Sequence, residues 1–202
     1  MKGATQPANG TGLAAFNFEQ PALEEAALVR RSQCGDREAF AALVERYWDR
    51  LYRWMYHLAH HRQQAEDLAQ EAFLKALAHL RSFRAGSNFR AWLFRIAYNT
   101  FLNQCREDGR SRQAFPEHLV AAGQGPAEQA MSREAMRLLA RTIGRLPPDY
   151  RAAFLLRVEE GLSFRQIAQV LETTEETARW RVFKARQKLM SVLAAQFDRD
   201  KP

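Results

Sequence analysis

The fold is decided by residues 162–189, which read LSFRQIAQVLETTEETARWRVFKARQKL. Ser163 with Gln166 forms a capping box, a pattern in which the two side chains satisfy free backbone groups at the start of a helix. Thr173 with Glu176 repeats the pattern a short distance later and predicts the start of a second helix. Two helices joined by so short a connection predict a helix-turn-helix.

The second predicted helix, which runs to about Leu193 after a first helix over 164–171, combines an apolar stripe with a basic surface. Small and aliphatic side chains recur at helical spacing and predict the buried stripe, and five cations occupy the remaining surface. Its two acids, Glu175 and Glu176, lie in the first turn, where the helix dipole favours negative charge. The stripe is Ala178, Val182, Ala185 and Leu189, and the cations are Arg179, Arg181, Lys184, Arg186 and Lys188.

A helix of this kind indicates binding in the major groove of DNA. Its N-terminal half enters the groove, where arginine reads guanine and lysine neutralises phosphate. The alternative is an ordinary solvated basic face, which the agreement of two caps, an apolar stripe and a cationic surface disfavours. The candidates for DNA contact are Thr177, Arg179, Trp180, Arg181, Phe183 and Lys184.

The composition agrees with a nucleic-acid partner and excludes a membrane-spanning protein. The chain has 202 residues, of which 47% are hydrophobic, so it can form real cores. Its net charge of +7 favours a polyanionic partner, either nucleic acid or an anionic membrane surface. No apolar run approaches the ~20 residues that cross a bilayer, and no secretory signal follows Lys2. Cys34 and Cys105 are expected to be free thiols in a reducing cytosol.

Composition and periodicity divide the chain into four segments. Residues 1–22 are predicted to be a flexible tail, because they mix Gly, Pro, Asn and Thr with few periodic apolar positions. Residues 23–108 show only helical periodicity and predict a compact all-α domain. Residues 109–131 hold three Gly and two Pro and predict a flexible linker. The helix-turn-helix belongs to a second small helical domain over 132–197.

Three helices are predicted in the first domain after its opening segment. Asp36 is the predicted N-cap of a helix that carries apolar residues from Phe40 to Leu58. A helix from about Phe89 to Glu107 buries Phe89, Trp92, Ile96 and their neighbours. Between them lies a helix with acids on one side, and its inward residues are predicted to be Leu68, Ala69, Ala72, Phe73, Ala76, Leu77 and Leu80.

Motifs in both domains resemble those of the sigma-70 family of bacterial RNA polymerase sigma factors. EDLAQEAF at 66–73 and FRAWLFRIAYN at 89–99 are similar to family motifs of the first domain. LP at 146–147, GLS at 161–163 and IA at 167–168 are similar to motifs of the second. Two domains with only a linker between them look like the extracytoplasmic-function (ECF) group. TARWRVFKAR at 177–186 is similar to the recognition-helix motif TVxxRxxRAR and matches it at four places, Thr177, Arg181, Ala185 and Arg186, with Ala178 in place of the usual valine.

The resemblance implies a polymerase-binding face on the acidic helix. In the family this helix packs on a coiled coil of the clamp, and the polar positions here are Asp67, Gln70 and Glu71. They are the candidates for pairing with basic clamp residues. A merely solvated acidic face is the alternative.

The resemblance also implies a surface for the −10 promoter element. The loop between the second and third helices captures a base flipped from that element, which needs polar edges and stacking surface. Arg84 and Asn88 are the polar candidates, and Phe83 and Phe89 are stacking or wall residues. Gly86 lies one position later than in the usual pattern, which leaves the loop geometry open. The third helix then offers Arg90, Arg95, Asn99, Asn103 and Arg106 to DNA, with Arg95, Asn99 and Asn103 in one polar stripe.

Three further residues either allow two roles or depart from the family pattern. Trp92 is either a core residue or a wedge that melts DNA, and its shared face with Ile96 favours the core. Glu172 replaces a common glycine in the turn, which predicts that the left-handed conformation is not required there. Trp180 replaces a small residue on the recognition helix, so its contact with a thymine methyl or the sugar-phosphate backbone resets the −35 sequence that is read.

The implied partners are promoter DNA, core RNA polymerase through the clamp and flap of its large subunits, and an anti-sigma factor wedged between the two domains. No catalytic residue, cofactor, metal or membrane insertion is predicted, and the expected location is the bacterial cytoplasm. His57, His60 and His61 have a metal-like spacing but no nearby acid or cysteine in sequence. Two alternatives are a dimeric helix-turn-helix regulator and a DNA enzyme such as a small recombinase. The acidic helix and polar loop are unexplained by the first, and no nucleophile with an acid cluster supports the second.

Overall fold

The computed structural model describes residues 20–84, 86–107 and 138–199. Regular structure in these ranges is helical, with one 3-10 turn at Leu80–Ser82 and no strand, which confirms the predicted all-α class. None of the described helices is long and apolar enough to cross a membrane. The helices are α1 (Gln20–Gln33), α2 (Arg37–Ala59), α3 (Arg62–His79), α4 (Phe89–Glu107), α5 (138–144), α6 (Pro148–Val158), α7 (Phe164–Val170) and α8 (Glu175–Arg199).

The two segments predicted to be flexible lie almost wholly outside the described residues. The predicted linker 109–131 is outside them, as is 1–19 of the predicted tail. Helix α1 begins at Gln20, slightly before the predicted end of the tail.

Helices α1 to α4 form the first domain around an aromatic and aliphatic core. Asp36 is the N-cap of α2, as predicted, and its Oδ1 accepts a hydrogen bond from the Ala39 amide at 3.0 Å. Trp54 is 1% exposed and packs against Phe94, with ring centroids 5.1 Å apart. The prediction that Leu77 faces inward is wrong, since the side chain is 49% exposed. Leu77 continues the apolar spacing of α3 but lies beyond the edge of the face that this helix buries.

Helices α5 to α8 form the second domain, in which the predicted stripe of α8 is buried. Ala178, Val182, Ala185 and Leu189 are each at most 4% exposed. Helix α6 begins at Pro148, where a proline needs no amide partner, and it ends at Val158.

The two domains pack directly against each other, with α4 on α7 and α2 on α6. Buried residues of both belong to one continuous hydrophobic core. This packing explains why α4 buries more than a single stripe: α2 and α3 cover one side of it and α7 covers another. We call this arrangement the closed conformation.

Candidate nucleic-acid interface

The two helices of the predicted helix-turn-helix begin with different caps. The capping box of Ser163 and Gln166 is present at the start of α7, with hydrogen bonds of 2.9 and 3.2 Å. The second predicted box is wrong by one residue. Thr174, not Thr173, caps α8, since its Oγ1 accepts from the Thr177 amide at 3.1 Å. The Thr173 amide instead donates to the Ala168 carbonyl at 3.0 Å, which fixes the turn.

Two aromatic side chains dominate the outer surface of α8. Trp180 is 50% exposed and Phe183 is 59% exposed, although both are large and apolar. The indole is held edge-on by Tyr150, with ring centroids 5.5 Å apart and an interplanar angle of 80°. Lys184 lies beside them and donates to Gln187 at 3.2 Å. This surface offers apolar contact as well as charge to a DNA groove.

The predicted cations of α8 differ in how firmly they are held within their own domain. Arg179 pairs with Glu175 at 3.1 Å, one turn back on the same helix, and also lies over the Phe164 ring. Arg181 is only 18% exposed and pairs with Asp149 at 3.0 Å. Thr177, another DNA candidate, has its hydroxyl 2.8 Å from that of the capping Thr174. Arg179 is therefore more accessible than Arg181.

The central side chains of the predicted −10 stripe meet the turn of the helix-turn-helix. One carboxylate oxygen of Glu172 accepts from Arg95 Nε at 3.2 Å and from Arg95 Nη2 at 3.0 Å. The same oxygen accepts from the Asn99 carboxamide at 3.1 Å. The hydrogen bonds from Asn99 and Arg95 lower the pKa of the Glu172 carboxyl below its usual value.

Glu172 adopts the left-handed conformation, with φ of 49°. The prediction that this position avoids that conformation is therefore wrong: the turn keeps the geometry that favours glycine although it carries a side chain.

The other predicted −10 side chains of α4 lie at its two ends. Asn103 and Arg106 continue the stripe, and the Arg106 guanidinium donates to Asn103 Oδ1 at 3.0 Å. Both are exposed, whereas Arg90 in the first turn is half-buried. The stripe thus extends beyond the residues that Glu172 contacts.

The aromatic side chains predicted for the base-capturing loop lie in the core. Phe83 is 7% exposed and Phe89 is 1% exposed. Their ring centroids are 5.7 Å apart, and Phe83 lies 4.9 Å from Trp92. Trp92 is half-buried against the same core, in agreement with the interpretation that the sequence favoured. These rings form the wall behind the loop.

The described loop residues 84, 86 and 87 are exposed, and the loop ends in a helix cap. Arg84 is exposed, and its carbonyl accepts from the Ser87 amide at 3.1 Å. Gly86 has a φ of 83°, so the shifted glycine takes a conformation that side chains disfavour. Asn88 Oδ1 accepts from the Ala91 amide at 2.8 Å and thereby begins α4.

The predicted polymerase-binding side chains lie on the exposed face of α3. Asp67 and Glu71 have partners on their own helix: Gln63 donates to Asp67 at 3.1 Å, and Lys75 pairs with Glu71 at 2.6 Å. Gln70 is exposed between them.

Two apolar side chains that the sequence did not identify as exposed lie on the same face of α3. Leu74 is 68% exposed and Leu77 is 49% exposed. Their helical spacing from Asp67 and Gln70 is the signal that identifies the shared face. The face is therefore acidic at one end and apolar at the other.

Sequence reasoning also missed the polar contacts that join the domains. Arg50 of α2 pairs with the buried Glu160 at 2.6 Å. Tyr98 of α4 donates to Asp149 at 3.1 Å. Arg151 is 1% exposed and donates to backbone carbonyls, including that of Leu58 at the C-terminal end of α2. Burial lowers the pKa of Arg151 to about 10, which leaves the guanidinium charged at neutral pH.

No group of three His, Cys, Asp or Glu side chains suited to a metal is found within the described ranges. The arrangement instead offers hydrogen-bond donors, cations and aromatic surface on α4 and α8, and a separate acidic and apolar face on α3.

Comparison with known proteins connects these surfaces to two family models. Sigma-70 region 2 matches residues 43–111, and Sigma-70, region 4 matches residues 136–189. The RNA polymerase sigma-H factor of Pseudomonas aeruginosa is 36% identical over 177 residues, which cover 82% of this chain and 92% of the relative. The ECF RNA polymerase sigma-E factor of Escherichia coli K12 is 35% identical over 176 residues, which cover 82% and 92%.

Two solved structures have a similar fold. RpoE of Bartonella quintana, solved with the anti-sigma factor NepR, has a TM-score of 0.65 and 27% identity, and the match covers 77% of this chain and 96% of that one. CnrH, solved with the cytosolic domain of CnrY, has a TM-score of 0.62 and 24% identity, covering 88% and 99%. The second likeness concerns the fold alone.

Proposed function

We propose that this chain, which belongs to the ECF group of the sigma-70 family of RNA polymerase sigma factors, binds core RNA polymerase and directs it to promoters with −10 and −35 elements. The observation that carries the proposal is the presence, on one chain, of an exposed acidic helix face and two separate surfaces, on α4 and α8, that carry cations and other hydrogen-bond donors. A regulator that acts without polymerase needs only the helix-turn-helix surface.

The proposed polymerase contact is the face of α3. Asp67, Gln70 and Glu71 supply negative charge and hydrogen-bonding groups for basic residues of the clamp, and their exposure supports this role. The second contact is between the helix-turn-helix domain and the flap. Because the two contacts belong to different domains, each anchors one DNA-reading surface on the enzyme.

The proposed −10 contacts are on α4 and the loop before it. Arg84 and Asn88 offer polar groups for a flipped base, with Phe83 and Phe89 as the wall of its pocket. Exposed arginines on the helix neutralise phosphates, and carboxamides bind base edges or the backbone. The helix contributes Arg90, Arg95, Asn99, Asn103 and Arg106.

The proposed −35 contacts are on the first half of α8. The exposed Arg179 and the half-buried Lys184 contact phosphate or guanine, and Trp180 with Phe183 supplies apolar contact to thymine methyl groups or sugars. Thr177 and Arg181 contribute from the edges of this surface. The large indole makes the preferred −35 sequence a property of this chain in particular.

The functional units follow the segments predicted from the sequence. Residues 23–108 are the unit for core binding and −10 recognition, and residues 132–197 are the unit for −35 recognition. Residues 109–131 link them, and residues 1–22 precede the first unit. The protein performs no chemistry of its own and acts in the bacterial cytoplasm, where promoter DNA and polymerase are found.

An anti-sigma factor is the proposed regulator. RpoE of Bartonella quintana, which is bound to its anti-sigma factor NepR in the solved structure, supports this proposal. A regulator wedged between the two domains has to replace closed-conformation contacts such as the pair of Arg50 and Glu160 with contacts of its own. Affinity purification from cells at several growth stages, with detection of a second protein besides polymerase, tests this partner.

A reconstituted transcription assay tests the proposed function. Purified full-length chain and core polymerase are mixed with a library of genomic fragments from the source bacterium, and transcript starts are mapped. We expect discrete starts that share −10 and −35 sequences and are absent without the chain. DNA binding without any polymerase-dependent start would identify a conventional regulator, and altered DNA strands would identify a recombinase.

A further inference from the structure

We propose that Glu172 is an intramolecular latch: in the closed conformation it occupies the place on the α4 polar stripe that promoter DNA takes in initiation. The inference rests on the proposed function for its biological meaning. The closure itself is a property of this chain that is measurable without polymerase.

The chemistry of the contact supports mutual exclusion between Glu172 and DNA. One carboxylate oxygen receives three N–H groups, two from Arg95 and one from Asn99, at 3.0 to 3.2 Å. A guanidinium and a carboxamide bind phosphate oxygens and base acceptors with these same N–H groups. Glu172 therefore stands where the anionic or acceptor oxygen of the nucleic acid has to go.

The left-handed backbone of Glu172 shows that a side chain at this position strains the turn. A non-glycine residue in the left-handed region is uncommon, and such strain occurs where a side chain has a separate role. The hydrogen bonds found for this carboxylate come from α4, not from the second domain, which contains Glu172. A glycine satisfies the turn, but it cannot reach the stripe.

The closed conformation is also incompatible with reading both promoter elements at once. Elements named for positions −10 and −35 lie about 25 base pairs apart, which corresponds to about 85 Å along B-DNA. In the closed conformation α4 and α7 are in contact. The domains must therefore separate before one chain contacts both elements, and breaking the latch is part of that separation.

The latch is weak enough to be opened by a partner. Arg95 and Glu172 are about half exposed, at 52% and 50% of their side chains, so water and salt screen their attraction. Apolar packing holds the rest of the interface, and the latch shifts the balance between closed and open forms by a few-fold. An opened chain binds DNA more tightly in proportion to its larger open fraction.

Matched substitutions in the full-length chain separate the latch from general charge effects. Glu172→Ala removes the carboxylate, and Glu172→Gly removes it while relieving the turn. Glu45→Ala is the control: it removes one negative charge at an exposed acid of α2, which is not the acceptor of Arg95 or Asn99. All three variants gain the same net charge and hence similar non-specific attraction to DNA.

The first measurement is the distance between the domains. One spin label is placed on the exposed Cys34 and another on Met190→Cys, in a chain that also carries Cys105→Ser. We expect both Glu172 variants to move the distance distribution from a narrow closed peak toward longer distances. Glu45→Ala should keep the closed peak. Loss of the closed peak in Glu172→Ala alone would indicate damage to the turn and overturn the latch.

The second measurement is DNA binding by the free chain. The probe is a fluorescein-labelled pool of random single-stranded 12-mers, titrated at low salt. We expect about threefold tighter binding for both Glu172 variants than for the unchanged chain or Glu45→Ala. Equal affinities for all four proteins, or an equal gain in the control, would refute the latch. If distances and affinities respond as expected while reconstituted transcription fails, the latch stands and the proposed function is wrong.

Discussion

The polar faces of α3 and α4, both in the first domain, differ in whether the second domain contacts them. On α3, Asp67 and Glu71 have partners on their own helix and their face is exposed. On α4, Arg95 and Asn99 are engaged by Glu172 from the other domain. The closed conformation thus leaves the proposed polymerase-binding face open and covers part of the proposed promoter-binding face.

This difference gives an order to the steps of initiation. A free chain in the closed conformation can meet the clamp, because nothing from the second domain covers the described face of α3. Its −10 stripe becomes available after the domains separate. Under the latch proposal, polymerase binding therefore precedes reading of the −10 element, whereas the recognition helix stays exposed in the free chain.

The largest predicted effect concerns the open face. We expect Glu71→Lys to weaken binding to core polymerase by about 2 kcal/mol, or roughly thirtyfold, because it reverses a charge opposite basic clamp residues and also repels Lys75. Fluorescence anisotropy with purified core polymerase measures this. Glu45→Lys, at an exposed acid of α2, is the matched control and should bind normally. An equal loss in the control would show that net charge, and not this face, determines binding.

The next prediction concerns the acid sensitivity of the closed conformation, where the end of α2 meets α6. Burial, followed by the charges of Arg151 and Arg53, lowers the pKa of His57 to about 4. Burial and the same Arg151 lower the pKa of His60 to about 4 as well. The unfolded chain binds these protons near pH 6.5, so the associated stability is present above that pH and is lost between pH 6.5 and 4. Glu159, 3.9 Å from His57, offsets part of the loss once the imidazole is charged.

His57→Gln isolates this contribution. Between pH 7.5 and 5.0, we expect the unchanged chain to lose about 1–2 kcal/mol more unfolding free energy than the variant. Urea denaturation followed by circular dichroism at the two pH values measures the difference. Equal losses of unfolding free energy in both proteins would mean that the interface between α2 and α6 does not keep His57 neutral.

A smaller effect is expected on the recognition helix, whose outer surface stays exposed in the closed conformation. Trp180→Ala should weaken binding to a −35 duplex by about fivefold through loss of apolar contact. The duplex comes from mapped start sites, and deoxyuridine replaces thymidine to remove single methyl groups. We expect the unchanged chain, but not the variant, to lose affinity at one such position. Equal sensitivity of both proteins would assign the methyl contact to another residue.

Local patterns in the sequence determined most of the secondary structure. The capping box at Ser163 and the cap at Asp36 were predicted correctly because each depends on residues within one turn. The cap of α8 was misplaced because Thr173 and Thr174 both precede suitable residues. A backbone hydrogen bond within the turn, from the Thr173 amide to the Ala168 carbonyl of α7, decides between them.

The contacts between domains were beyond local patterns. The pairs of Arg95 with Glu172 and of Arg50 with Glu160 join residues far apart in sequence, and no periodicity relates them. The conformation of Glu172 was mispredicted for the same reason: its side chain suggested a relaxed turn, whereas its partners lie on another domain. The roles assigned to individual DNA-contact residues remain predictions for the experiments above.

The smallest predicted effect tests the turn that carries the latch. Thr174→Ala removes the side-chain acceptor of the Thr177 amide and should lower the unfolding free energy by about 1 kcal/mol. Thr173→Ala keeps that cap and should change stability much less, because the hydrogen bond from Thr173 to Ala168 is made by its backbone amide. Thermal denaturation of the two single variants measures the difference. The reverse ranking would restore Thr173 as the cap, and it would also place Glu172 differently relative to α4, which would remove the geometric basis for the difference between the two faces.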